Sequence, residues 1–219
     1  DETLLSCQEH KAYGKQPGHA RFLYPGKFGY GEVWKRMAAS LEDRIIYNCR
    51  VSSLDLSKKL VNDKYEAEHI ICTIPWTDIE TIRGISDNTL KTLKKELKYT
   101  SIVTEYHSDN LDTKAHWIYY PDLGLDHHRI LVRHNFCPGS RGYWTEINAE
   151  RYHENKAATA FCNEYAYPLN TINKPVVMKK FLKELEDGGN YGLGRWGEWQ
   201  HYNSDVVVER ALRFAEKLD

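Results

Sequence analysis

The chain lacks most of what would mark it as secreted, membrane-spanning or metal-bound. Its five cysteines, Cys7, Cys49, Cys72, Cys137 and Cys162, are odd in number, and no two stand at C-x-x-C spacing. A disulfide framework or a zinc ribbon is therefore not expected, and a reducing, cytoplasmic compartment is. No apolar run approaches the roughly 20 residues that a membrane span needs. An excess of one charge is also missing: 30 Lys and Arg stand against 31 Asp and Glu, a net charge of -1. That balance gives no general attraction to nucleic acid or to anionic membranes. There is no nucleophile elbow, no H-E-x-x-H pair, no kinase signature, no Walker loop and no G-x-G-x-x-G fingerprint.

What is present is an ordinary globular composition, 41% hydrophobic and 28% charged, in 219 residues. That length suits one large or two small domains with a real core. A glycine-rich stretch, Gly26 to Gly31, leads into a helix with Trp34, Met37, Ala38 and Leu41 on one stripe. Strands are expected over 45–51, 59–61 and 69–74. The last is nearly all apolar, as a strand covered on both faces would be. Ser86 to Asn88 offers helix caps ahead of Leu90, Leu93 and Leu97, with Lys91, Lys94, Lys95 and Lys98 as the solvated side. Four further strands, over 101–106, 116–120, 129–136 and 143–148, are separated by turn signals and predict an antiparallel sheet. A polar helix is expected over 149–165. Further helices are expected around Met178, Phe181, Leu182 and Leu185, and from Ser204 with Val207, Ala211, Phe214, Ala215 and Leu218 inward.

Three patterns carry possible chemistry. The first is Gly192 to Asp205, a glycine-rich turn with Arg195 followed by Asn203, Ser204 and Asp205 at a helix start. Unhindered backbone N–H groups beside a guanidinium suit a phosphate, although a capped surface loop reads the same way. The second is the Gly26 to Gly31 loop. The third is Asp126 to His134. On a regular strand, Arg129, Leu131 and Arg133 would share one face and His128, Ile130 and Val132 the other, so His127 and His128 make a poor metal chelate. Arg129 would then face a cleft, ready for an anion. The aromatic residues near these signals, Tyr119, Tyr120, Tyr165, Tyr167, Trp196 and Trp199, either pack or stack on a ligand ring.

Taken in order, these segments resemble the flavin-dependent UDP-galactopyranose mutase group and its protoporphyrinogen-oxidase-like and amine-oxidase-like neighbours. The resemblance covers roughly residues 20–219. It rests on Phe22 to Trp34, on Cys72-Thr73-Ile74-Pro75, on His116 to Pro121 with His128-Arg129-Ile130, on Tyr165-Ala166-Tyr167-Pro168, and on Gly194 to Trp199 with Asn203-Ser204-Asp205. It implies FAD as cofactor, held by Gly194, Arg195, Trp196, Asn203, Ser204 and Asp205, with Gly29 and Gly31 allowing close backbone approach. It implies a nucleotide-sugar diphosphate held by Arg129, Tyr119 and Tyr167, with His201 at the place of the group's second diphosphate tyrosine. Catalysis in that group rests on the reduced flavin, and the protein contributes positioning and electrostatics.

The group's N-terminal dinucleotide-binding βαβ unit has no counterpart before Phe22. The chain is therefore expected to be the C-terminal part of an FAD-dependent enzyme, in need of that N-terminal FAD-binding segment as its partner. The expected fold is α+β, an antiparallel-sheet substrate domain with flanking helices plus partial segments of an FAD-binding α/β domain. The expected divisions are 1–75 as partial FAD domain, 76–168 as substrate domain and 169–219 as closing FAD segment. Two alternatives stay open: an amine-oxidase-type oxidoreductase, and a non-catalytic module that keeps the fold.

Overall fold

The computed structural model describes residues 22–153 and 159–218. These divide into two units, one of 22–45, 108–116 and 132–143, the other of 46–107, 117–131 and 144–218.

In the first unit, α1 (Tyr30–Ala39) begins after Gly29, whose φ of 76° suits a residue without a β-carbon. Its apolar stripe stays exposed, with Trp34 at 40% and Met37 at 53%. Gly31 lies inside this helix, with open space where a β-carbon would go. Phe22, Tyr24, His116 and Phe136 form an aromatic cluster with ring centroids 5.0–5.9 Å apart. The Asn135 amide ties the loop down by donating to Thr113 O and Ala115 O at 2.8 and 2.7 Å.

The second unit holds three sheets. Strands β1 (Ser53–Asp55), β2 (Leu60–Val61) and β3 (Tyr65–Glu66) form a meander in which only β2 falls on an expected strand, 59–61. It is extended by β5 (Thr81–Arg83), which runs parallel to β1. Strand β4 (Ile70–Cys72) leaves the meander and pairs in parallel with β11 (Asn190–Gly192). The third sheet is antiparallel, in the order β10 (Thr159–Pro168), β6 (Tyr99–His107), β9 (Tyr143–Asn148), β8 (His127–Leu131) and β7 (Trp117–Tyr119).

Four helices complete the unit. Helix α2 (Asp87–Glu96) is capped by Ser86, whose hydroxyl accepts from Thr89 N at 3.1 Å. Helix α4 is Lys174–Asp187, α5 is the single turn Gly194–Gly197 and α6 is Ser204–Leu218; the short turn α3 (Arg133–Phe136) belongs to the first unit. The core joins Leu54, Ile70, Trp76, Leu93, Met178, Phe181 and Trp199. Among the described residues no helix is long and apolar enough to cross a membrane.

Five sequence expectations differ from the structure. Residues 45–51 are turn and irregular chain, with Asn48 at a φ of 55° that a strand does not accommodate. Strand β4 is covered on one side only: Ile70 and Cys72 are buried, while Ile71 is 40% exposed. Strand β8 stops at Leu131, and Arg133 to Phe136 turn into α3, so Arg133 does not continue the row of Arg129. The region expected as a helix over 149–165 is a 3-10 turn (Ala149–Arg151) and then β10, whose backbone pairs with β6 along the sheet edge. Residues 154–158 of it lie outside the described residues. Helix α6 buries none of its residues fully.

The turn after β11 is built around glycine for packing. A β-carbon on Gly197 would collide with Cys72 O, and one on Gly192 with Gly197 O. The Trp76 indole donates to that same Gly197 O at 2.9 Å. Gly197→Ala should therefore destabilise the fold by about 2 kcal/mol or more, since backbone must shift to admit the methyl. Gly31→Ala, in open space within α1, should be neutral or stabilising by about 0.5–1 kcal/mol. Urea denaturation of both variants measures the contrast.

Candidate functional site

The register of the antiparallel sheet sets Tyr119, Arg129 and Glu146 in one row across β7, β8 and β9. The Glu146 side chain is only 9% exposed. A carboxylate removed from water needs a cation and donors, and Arg129 supplies both, with Nε donating to Glu146 Oε2 at 2.5 Å. The same guanidinium donates through Nη1 to Tyr119 Oη at 3.2 Å and through Nη2 to Tyr167 Oη at 3.4 Å. Burial works against the Arg129 charge, but Glu146 and the two phenols outweigh it and raise its pKa above the ordinary arginine value. Each phenol oxygen accepts from Arg129, so each O–H hydrogen is left to donate outward. Tyr119 is 61% exposed and within reach of a ligand.

Tyr167 is the meeting point of two chain segments. Arg195 Cζ lies 5.4 Å from the centroid of its ring, and His201 stacks against it at 5.0 Å with an interplanar angle of 13°. Arg195 is itself braced on main chain. Nε and Nη2 donate to Tyr202 O at 3.0 and 2.6 Å, and Nη1 donates to Ala166 O at 3.3 Å. Trp199, fully buried with a φ of 52°, donates from its indole to Lys98 O at 3.0 Å. Its own carbonyl accepts from the buried Lys174 Nζ at 3.0 Å. Burial lowers the Lys174 pKa. The loop that carries His201 is thus clamped at both ends.

Five of the residues singled out in the sequence therefore converge: Arg129, Tyr119, Tyr167, His201 and Arg195. Trp196 packs beside them, edge-on to Tyr165 and to Trp199. Asn203, Ser204 and Asp205 are exposed at the start of α6. Gly194 does not present a free N–H to an anion, because its amide donates to Glu198 Oε2 at 2.9 Å and Glu198 is in turn paired with Arg210. Gly29 and Gly31 belong to the first unit.

Sequence reasoning missed Glu146, Glu198 and the placing of His128 beside Glu146. Glu146 stands between Thr145 and Ile147, both buried, in a run whose sequence does not single it out. His128 was hidden by a β-bulge, since strict alternation fails where the register shifts between His127 and Arg129. Elsewhere in this unit, a cleft of about 370 Å³ lies between α4, β11 and α6. Its cations Arg210, Arg213 and Lys217 are all paired, with Glu198, Glu209 and Glu186.

No protein-family model matches the chain, and no curated protein matches it in sequence. Among solved structures, that of a reduced UDP-galactopyranose mutase is similar, with a TM-score of 0.75 and 16% identity. The similarity covers 90% of this chain and 52% of the other. The chain therefore shares the fold of that mutase structure over about half of the latter's length.

Arg129→Ala should cost about 3 kcal/mol of stability, because it leaves Glu146 buried without a counter-charge. The double variant Arg129→Met with Glu146→Gln should recover much of that loss. Denaturant midpoints for the two variants test this; equal losses would mean that the pair is not coupled.

Proposed function

We propose that the chain is part of an FAD-dependent enzyme similar to UDP-galactopyranose mutase, and that the row Tyr119–Arg129 with Tyr167 and His201 binds the diphosphate of a nucleotide sugar. The observation that carries the reading is the convergence on Tyr167 of two arginines 66 positions apart in sequence, Arg129 and Arg195. Outward-facing phenol donors backed by a fixed guanidinium match a diphosphate. An amine oxidase would be expected to offer an apolar, aromatic-walled tunnel instead.

The donor set fits FAD in part. Asn203, Ser204 and Asp205, exposed at the start of a 15-residue helix, suit the polar ribityl side or ring edge of a flavin. Gly194 does not suit its pyrophosphate, since its N–H is committed to Glu198. When bound, FAD would supply the reactive ring. The residues of this chain hold and orient the sugar nucleotide, and Arg195 braces the loop that presents His201. A companion FAD-binding segment would enclose the adenine and pyrophosphate.

The exposure of Asn203 and Asp205 favours a second reading, a non-catalytic module that keeps the fold and binds the nucleotide sugar without flavin.

UDP titrated into the chain should bind with a salt-sensitive affinity. Tyr167→Phe, which removes one donor to a charged group, should weaken it by about 1.5–3 kcal/mol, ten- to a hundredfold. Unchanged affinity in Tyr167→Phe would overturn the assignment. FAD titrated into the chain alone should bind weakly; sub-micromolar affinity would show that no companion segment is needed.

A further inference from the structure

We infer that His128 is a second, proton-dependent anion-binding group of this site, set beside Arg129 by the bulge in β8 and sharing the carboxylate of Glu146 with it. The inference rests on the nucleotide-sugar reading and concerns how that site acquires positive charge.

His127 pairs with Ile147 and Arg129 with Glu146, so His128 is the extra residue. The bulge breaks strand alternation, and two consecutive side chains reach one oxygen. Arg129 lies 2.5 Å and His128 Nε2 3.8 Å from Glu146 Oε2. The His128 side chain is 45% exposed, open enough to meet a ligand. Arg129 and Glu146 cancel one another in charge, so with a neutral imidazole the row attracts an anion only through its N–H and O–H donors. With an imidazolium, two cations face one carboxylate, and a single positive charge is left for the ligand.

The groups acting on His128 fix the sign. Burial disfavours the imidazolium; Glu146, from β9, favours it; Arg129 and His127, from β8 itself, oppose it. Tyr119 of β7 and Tyr120 just after it present phenols, Tyr119 on Arg129 and Tyr120 against the His127 ring. The net result is a depressed pKa, so the empty site near neutral pH holds a neutral imidazole. A bound diphosphate adds negative charge and raises the His128 pKa, so binding takes up a proton. Affinity must then improve as pH falls through the bound-state pKa, and the gain is complete below the free-state pKa.

UDP-glucose is the probe, since its phosphodiester groups do not titrate between pH 5.5 and 8. Its affinity for the chain should tighten about tenfold across that range at constant ionic strength, the equivalent of about one pKa unit. In His128→Gln the change should shrink to about twofold. Imidazole NMR should also show the His128 titration midpoint moving upward when UDP-glucose is bound. The same pH dependence in His128→Gln, or an unmoved midpoint under saturating ligand, overturns this inference and leaves the nucleotide-sugar reading standing. Absence of UDP-glucose binding at every pH overturns that reading and this inference with it.

Discussion

The face of the antiparallel sheet that carries Tyr119, Arg129 and Tyr167 depends on one buried ion pair. Glu146 is nearly closed to water, and an isolated carboxylate there would be expelled or protonated. Arg129 is the group that stabilises it, and a guanidinium is suited to the task because its five N–H donors lie in a fixed plane. With one edge spent on Glu146, the remaining donors point at Tyr119 and Tyr167. A lysine could neutralise the carboxylate but could not also hold two phenols at set positions. The arrangement of the two phenols is thus a consequence of satisfying the charge of Glu146.

The two arginines that meet at Tyr167 do different work. Arg129 is bonded to side chains and carries electrostatic weight. Arg195 ends on the carbonyls of Tyr202 and Ala166, so it acts as a brace between the C-terminal loop and the end of β10. Beneath that loop, Trp199 is locked by burial and by Lys98 O, while Gly192 and Gly197 allow β11 to close on β4. The rigid parts are the ones that set His201 against Tyr167. Positioning here comes from packed backbone rather than from the glycine-rich turn acting as an anion cradle.

Much of this was legible in the sequence, and the failures have identifiable causes. Periodicity located α2 and α4, whose apolar positions repeat as burial requires, and it located α6 although that helix buries none of its residues fully. It failed at β10, an edge strand exposed over residues 159–164, where hydrophobic alternation has little to record. It failed again at His128, since a bulge is a register property of two strands and leaves no mark in one. Arg129, Tyr119, Tyr167 and His201 were named together from a resemblance, and they do lie together. The carboxylate that organises them was not named, because the pattern of β9 does not reveal which of its buried polar residues is paired.

The geometry also separates two chemistries that the resemblance joins. The row Tyr119–Arg129–Glu146, with Tyr167, satisfies its guanidinium and its buried carboxylate within the second unit and leaves the two phenol hydrogens to donate. The parallel layer is different: β4 and β11 stand as a pair with Ile71 half open, whereas parallel strands are ordinarily covered on both faces. Helix α6 likewise leaves Val208 and Leu212 exposed. Under the proposed reading, anion recognition would rest on the antiparallel sheet and flavin chemistry on the parallel layer. The Arg129–Glu146 pair would then belong to the sheet, whereas the setting of His201 against Tyr167 is shared with the segment after β11, where Arg195 donates to Ala166 O of β10.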